Sequence, residues 1–384
     1  MKERYYSLDV FRGATVALMI LVNNPGSWDH IFTPLDHAPW HGCTPTDLVF
    51  PFFLFAVGNA LSFSLHSFSQ KSNTFFIGKV LKRSILLFLL GLFLNWSPFF
   101  KWEGNSVIFK NWENVRIFGV LQRIAIAYLF ASIIVFFFNK RVVMITSVLI
   151  LLAYWLLCLF MGNPSDPFSL QGYFGTRIDL AILGKTHVYK GEGMPFDPEG
   201  LVSAMSAIVQ VILGYLIGQM IQNKGKTYEM VTRLFYISVM LVVAGLMWDL
   251  VFPINKKIWT GSYTLYTSGL AGLTIACMIY LIEFKNKKGA WSSFFNVFGK
   301  NPLFIFVLSG FLPRLFSLIR IPQHKFDEKG NQIFLTPFSW LYENVFKNMA
   351  PDLRIGSLVY AVTLIFFYWL IVYFMDKKKI YIRV

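Results

Sequence analysis

Long apolar runs broken by short polar stretches dominate this chain. A run of roughly 17–25 mostly apolar residues is what a membrane-spanning helix needs. About ten runs qualify. They cover 8–24, 46–66, 76–97, 116–138, 141–161, 200–221, 231–252, 262–282, 301–319 and 355–375. Backbone left unsatisfied in lipid is too costly for any other form, so each run is predicted helical. The expected fold is an all-α polytopic membrane protein, a bundle of about ten transmembrane helices forming one domain over residues 1–384.

The polar stretches alternate in character. Basic residues gather in every second connector: Lys71, Lys79, Lys82 and Arg83; Lys140 and Arg141; Lys224, Lys226 and Arg233; Lys285, Lys287 and Lys288; then Lys377, Lys378, Lys379 and Arg383. By the positive-inside rule these connectors and both termini are cytoplasmic. The other connectors, near 24–45, 98–115, 162–199, 253–261 and 320–354, are then external, although the last two also carry basic residues. The external stretches are longer and richer in functional groups, which puts substrate handling on the outer face.

Composition agrees. Of 384 residues, 55% are hydrophobic and 14% charged, with a mean hydropathy of +0.54, which excludes an ordinary soluble domain. The net charge of +15 does not read as a nucleic-acid surface, because the cations are scattered among connectors. Three cysteines, Cys43, Cys158 and Cys277, argue against a disulfide framework, and the last two read as packing residues inside apolar runs. The first apolar run follows Lys2 and Arg4 but contains Asp9 and Arg12 and no cleavage site, so no cleavable signal peptide is expected.

Polar residues at the edges of the runs are the candidate chemistry. Asp9 and Arg12 share a helix face at the inner end of the first run, as a local ion pair or as a site for an anionic ligand. From Arg12 to Asn23 is roughly 17 Å of helix, so one helix touches both membrane faces. Asn23 and Asn24 end it, either as a cap or aimed at a carbonyl. Thr44, Pro45 and Asp47 spell an N-cap, first helical position and capping box, and a carboxylate so fixed can also orient a histidine. Gln122 and Arg123 lie inside the fourth run, where an arginine must meet a partner or a cavity. His37 and His41 sit in an external loop without lysine or arginine, and a loop histidine is ordinarily just solvated. Cys43 beside them has no nucleophile signature, and no metal-ligand spacing or phosphate loop occurs, so no metal is expected.

Seven motifs in order point to a family. They are Arg4-Tyr5-Tyr6-Ser7-Leu8-Asp9-Val10-Phe11-Arg12-Gly13, Asn23 with His37-Ala38-Pro39-Trp40, and Asp47-Leu48-Val49-Phe50-Pro51-Phe52-Phe53. Gly119-Val120-Leu121-Gln122-Arg123, Phe196-Asp197-Pro198-Glu199-Gly200, Pro253-Ile254-Asn255-Lys256-Lys257-Ile258-Trp259 and Gly299-Lys300-Asn301-Pro302 follow. Together they resemble the membrane domain of heparan-α-glucosaminide N-acetyltransferase and its bacterial relatives, over nearly the whole chain. The resemblance implies acetyl transfer from cytoplasmic acetyl-CoA to the amine of a glucosamine-type sugar across an inner cell membrane. It makes His37 the catalytic base or acetyl carrier, with Asn23 and Asp47 beside it. It gives Asp9, Arg12, Asn24, Lys82, Arg83, Gln122, Arg123 and Asn301 a cofactor to bind, acetyl-CoA. Trp40, Asp197, Glu199, Asn255, Lys256 and Trp259 become candidate contacts to the amino-sugar acceptor. A homodimer would match the family.

The lysosomal enzyme has a luminal N-terminal domain and one further helix preceding these motifs, and a His-Glu pair where this chain reads Phe306-Val307-Leu308-Ser309-Gly310. Heparan sulfate is therefore not implied as acceptor. Two other classes fit the polar residues: a secondary transporter of an amino sugar, against which no internal repeat is visible, and a membrane O-acyltransferase acting on glycan hydroxyls.

Overall fold

The computed structural model describes residues 5–68, 72–326, 330 and 332–382; Lys2, Arg4, Lys71 and Arg383, used above for orientation and motif, lie outside them. Each predicted run is helical. The long helices are α1 (Tyr6–Asn23), α2 (Val49–Phe68), α3 (Asn73–Trp96), α4 (Val120–Phe137) and α5 (Lys140–Met161). A short surface helix α6 (Phe174–Leu183) precedes α7 (Ala204–Lys224), α8 (Tyr228–Asp249) and α9 (Gly261–Ile279). Then come α10 (Ala290–Lys300), α11 (Pro302–Phe316), the one-turn α12 (Pro337–Leu341) and α13 (Leu353–Lys377).

Among the described residues eight helices are long and apolar enough to cross a membrane, or nine if the bent pair α10–α11 is one span. The ten expected spans reduce for two reasons. Helix α3 carries Lys79, Lys82 and Arg83 in its first half, too many charges for a clean span. The run expected over 301–319 is a 15-residue helix, and the chain turns by 79° between it and α10. Pro302 forces that break, since a proline at the first helical position cannot continue the helix before it. Starts also shift: α4 begins at Val120 rather than 116, leaving Arg116 on an extended segment.

Layering follows burial. In α7, 67% of the apolar window is buried, against 22% in α8 and 28% in α5 and α13, so α7 is central and the others line the rim. Close helix contacts use glycine. A Cβ at Gly58 of α2 would collide with the Val211 carbonyl, and one at Gly214 of α7 with that of Phe55. Without hydrocarbon-to-water driving force inside a bilayer, such small-residue contact is what binds helices. Gly13 and Gly299 do the same for α1 and α10. Cys158 is buried, whereas Cys277 is exposed on the outside of α9 and does not pack in the bundle as expected.

The long connectors collect at one end. They include the antiparallel hairpins β1 (Phe100–Glu103) with β2 (Ser106–Phe109) and β3 (Ile321–Phe326) with β4 (Gln332–Leu335). Both described chain termini lie at the other end: Tyr5 Oη donates to the Ile221 carbonyl, and Tyr381 and Ile382 share a cavity with Asp9 and Arg12.

Candidate active site

The loop 24–48 is held like a lid frame over α1 and α2. Asn24 caps α1, its Nδ2 donating to the Ile20 carbonyl at 2.9 Å. That frees the exposed Asn23 side chain, which makes no hydrogen bond among the described residues and lines the cavity beneath the loop. Asp47 is the third residue of a 3-10 turn, Pro45–Leu48, and is 1% exposed. Its Oδ2 accepts from Thr44 N (3.0 Å), Thr44 Oγ1 (3.1 Å) and Ala38 N (3.0 Å). This is the expected capping box, with one extra donor from the histidine loop. Oδ1 is thereby aimed at His37 Nδ1, 2.7 Å away. The cap and the histidine-orienting role coexist, as their shared carboxylate predicts.

From the far side the turn 250–260 closes on the same ring. Lys256 Nζ lies 3.0 Å from His37 Nδ1 and 3.3 Å from Asp47 Oδ1. Burial depresses the affinity of this amine for its proton, and the charge of Asp47 offsets that only in part. Asn255 is fully buried and builds the turn: Oδ1 accepts from Ile258 N, and its backbone N donates to Thr260 Oγ1. It is a structural residue and lines no cavity described here, so its expected acceptor contact is corrected. Trp259 has φ 49°, a left-handed conformation that costs a bulky residue about 1–3 kcal/mol. The surrounding packing holds it with its ring against Phe50 and Arg123.

With both polar partners on Nδ1, Nε2 is the ring nitrogen left for a ligand. His37 lines a cavity of about 350 Å3 with Asn23, Trp40, Arg116, Tyr189, Glu192, Glu199, Lys256, Lys257 and Trp259. Arg116, overlooked in the sequence because it sits outside any obvious motif, is the electrostatic centre of its acidic wall. Its Nε donates to Asp197 Oδ2 at 3.0 Å and its Nη2 to Asp197 Oδ1 at 2.6 Å and to Glu199. Burial alone would lower the guanidinium's proton affinity; Glu199 and Asp197 more than reverse it. Asp197 also accepts from the Tyr189 and Glu199 backbone N–H groups and is turned away from the cavity; of the two, Glu199 lines it. Lys257 bridges Glu192 (2.6 Å) and the Pro39 carbonyl (2.8 Å), tying the segment before α7 to the histidine loop. Trp40 Nε1 donates to the Phe168 carbonyl, so its ring forms a fixed wall.

His41 is held by Asn255 at 3.4 Å, and burial lowers its proton affinity. The Cys43 thiol is pushed up to about 12 by burial, with Asp47 adding to it, which leaves no thiolate for nucleophilic attack.

At the opposite end a second cavity, about 530 Å3, is lined by Asp9, Arg12, Arg83, Tyr128, Lys300 and Tyr381 among others. Three cations face one carboxylate there. Arg12 Nη1 donates to Asp9 Oδ1 (3.3 Å) and to the Gly299 carbonyl (3.5 Å). Arg83 stacks over Tyr128 at 4.7 Å and has no carboxylate partner among the described residues. Lys300 is an unforeseen member, paired with Asp376 at 2.8 Å. Five of the eight expected cofactor contacts fall outside this cavity: Asn24, Lys82, Gln122, Arg123 and Asn301. Lys82 is exposed on the outer face of α3. Asn301 ties down the chain terminus instead, donating to the Ile380 carbonyl and accepting from Ile382 N.

The cavities are neighbours: Phe53 lines both. A third space of about 410 Å3 beside them contains Asn23, Asn24, Asn95, Arg116, Gln122 and Arg314. It shares Leu121 with the cationic cavity and Asn23, Arg116 and Phe306 with the His37 cavity. Gln122 is 1% exposed, and neither side-chain polar atom has a partner among the described residues. Arg123 is placed differently from expectation. It lies at the His37 end of α4, fully buried, bonded to the Gly200 carbonyl and Ser203 Oγ, and lines none of these spaces. It braces the start of α7 through Nη2, while its Nε and Nη1 have no partner among the described residues.

Fold and site thus define a polytopic membrane protein with an imidazole–carboxylate–ammonium cluster at one end of the bundle and a cationic cavity at the other. Residues 4–179 match the family described as heparan-alpha-glucosaminide N-acetyltransferase, catalytic. The chain is similar to heparan-alpha-glucosaminide N-acetyltransferase of Mus musculus, 28% identical over 383 residues, covering 84% of this chain and 56% of that protein. It is also similar to the Homo sapiens protein of the same name, 26% identical over 443 residues, covering 100% of this chain and 60% of that protein. The resemblance read from the motifs is borne out as a similarity: the chain is similar to the heparan-α-glucosaminide N-acetyltransferases. It spans less than two thirds of the length of these relatives. The matched stretch contains His37, Asp47, Arg83 and Arg116 and stops before Glu199 and Lys256.

Proposed function

We propose that the chain is a transmembrane N-acetyltransferase of an inner cell membrane that moves an acetyl group from acetyl-CoA to the amine of a glucosamine-type sugar. The observation that carries this reading is the pairing of the two cavities: a cationic one suited to phosphates, with Phe53 as the wall between it and one that holds a carboxylate-oriented histidine. The basic connectors favour, by the positive-inside rule, an Arg12 end in the cytoplasm and His37 outside. The span from Arg12 to Asn23, roughly 17 Å along α1, suits an extended pantetheine arm.

In this scheme Arg12, Arg83 and Lys300 hold the phosphates of acetyl-CoA, and Asp9 orients Arg12. The thioester lies at the Asn23 end. His37 Nε2 takes a proton from the acceptor ammonium, while Asp47 holds Nδ1–H and balances the imidazolium that forms. The freed amine attacks the thioester carbonyl, forming the C–N bond. The Asn23 carboxamide, which no hydrogen bond among the described residues occupies, is free to donate to the oxyanion. The intermediate collapses, the C–S bond breaks, and the second proton of the attacking nitrogen, which the amide does not keep, passes to the departing CoA thiolate, while the imidazolium releases its own proton to solvent. Glu199 and Trp40 line the acceptor side, the first suited to an ammonium or sugar hydroxyls, the second to a sugar face. All these side chains come from one chain, so the expected dimer is not needed to bring them together.

The test uses purified protein in sealed proteoliposomes, with acetyl-CoA on one side and glucosamine on the other. CoA release coupled to N-acetylglucosamine formation is expected, falling roughly 100- to 10,000-fold in His37→Ala. If His37→Ala keeps most of its activity, neither the base nor the acetyl-carrier version survives. Sugar uptake without CoA release would instead identify a transporter.

A further inference from the structure

Two groups of opposite charge meet at one ring nitrogen. His37 Nδ1 is 2.7 Å from Asp47 Oδ1 and 3.0 Å from Lys256 Nζ, and the latter two are 3.3 Å apart. One nitrogen either donates or accepts, so the carboxylate and the ammonium make opposite demands on it. With the proton on Nδ1, Asp47 is served and Nε2 keeps its lone pair. With Nδ1 bare, Lys256 is served and Nε2 carries the proton.

We propose that Lys256 is a positioning residue for His37, whose ammonium offsets the Asp47 charge at the ring and so keeps the imidazole neutral, with a nitrogen free to accept a proton, until the acceptor arrives. The proposal rests on His37 acting as the base. It replaces the expectation that Lys256 contacts the acceptor.

The argument starts from what Asp47 would do alone. A carboxylate in contact favours imidazolium by about 1–3 pH units, and a ring already protonated cannot take a second proton. The remaining charged groups around the ring are occupied. Asp36 accepts from the His37 backbone N at 2.7 Å, Glu199 and Asp197 hold Arg116, Glu192 holds Lys257, and the neighbouring His41 is held by Asn255. Tyr189, the other titratable group lining the cavity, lies under the Arg116 guanidinium. Lys256 is the cation in contact with the pair. The turn fixes it there, because Asn255 is locked by Thr260 and Ile258 and the Gly42 N donates to the Ile254 carbonyl at 2.7 Å. Once Nε2 takes the acceptor's proton, Nδ1 must keep its own. The ammonium then turns to the Asp47 oxygen already 3.3 Å away.

Ring-nitrogen NMR of 15N-histidine-labelled protein in micelles reads this without turnover, with His37→Gln to assign the signal. Lys256→Gln is expected to raise the midpoint of the His37 titration by about one pH unit or more, and Lys256→Arg, which keeps the charge, to leave it near wild type. An unchanged midpoint in Lys256→Gln overturns the proposal, as does a Lys256→Arg midpoint that follows Lys256→Gln. In acetyl transfer the acid limb of kcat/KM should move up with the ring midpoint. A limb that stays while the midpoint moves removes Lys256 from the reaction. Because the titration needs no substrate, retention of activity by His37→Ala would sink the base assignment separately.

Discussion

Replacing Asp47 by asparagine separates the two tasks of that carboxylate. Asparagine keeps an oxygen where Oδ2 accepts from Ala38 N, Thr44 N and Thr44 Oγ1, so the start of α2 stays capped. It puts an amide NH2 where Oδ1 met His37 Nδ1 at 2.7 Å. A donor there demands a bare Nδ1, moves the proton to Nε2 and removes the charge that balances the imidazolium. At an effective dielectric near 20 a unit charge about 4 Å away is worth ~4 kcal/mol, and the ring's partial exposure to water reduces that toward ~2. The expected loss in kcat is then roughly 30- to 1,000-fold. Asp47→Ala should lose at least as much activity and also stability, about 2–5 kcal/mol for the lost cap and the orphaned Ala38 N–H. Acetyl-transfer kinetics with thermal unfolding in detergent reads both. The reasoning fails if Asp47→Asn keeps more than a third of kcat, or if it unfolds as readily as Asp47→Ala.

Two further outcomes follow from other parts of the molecule. Arg83→Gln should raise KM for acetyl-CoA about 10- to 100-fold, the worth of one charge-assisted bond to phosphate, with kcat little changed; a kcat effect without a KM effect would place Arg83 elsewhere. Burial raises the Asp179 carboxyl to about 6, with nearby Asp197 adding and a bond from Leu201 N opposing. A carboxyl raised on folding from 3.8 to about 6 adds stability that is complete below pH 3.8 and lost as pH rises through 6. Asp179→Asn should therefore gain up to about 3 kcal/mol over wild type at pH 8, about half of that at pH 5 and little near pH 3.5, read by unfolding temperature at each; equal effects at pH 8 and pH 3.5 would disprove the buried charge.

Local chemistry was legible in the sequence where partners are close along the chain. Thr44-Pro45-Thr46-Asp47 announced a cap, and the structure builds it. Asn23 and Asn24 announced a helix end, though only the geometry shows that Asn24 takes the cap and releases Asn23. Helix existence followed from apolar length. What failed depends on distant partners. Lys256 meets His37 across 219 residues, and Asn301 holds a terminus about eighty residues on, so neither contact has a local signal. Arg123 was rightly read as needing a partner, but helix periodicity cannot say whether that partner is a ligand or the Gly200 carbonyl. Arg116 was missed because it lies in an extended stretch between a hairpin and a helix, where no periodicity exists to mark a face. The break at Asn301–Pro302 was visible as a proline, yet the apolar run around it looked continuous.

Phe53 stands on the wall common to the cationic cavity and the histidine cavity. In the scheme proposed here a two-carbon unit passes that point and the nucleotide does not. In that scheme the discharged carrier goes back to the compartment that synthesises it, and the cell would modify a molecule beyond its permeability barrier without exporting a costly metabolite.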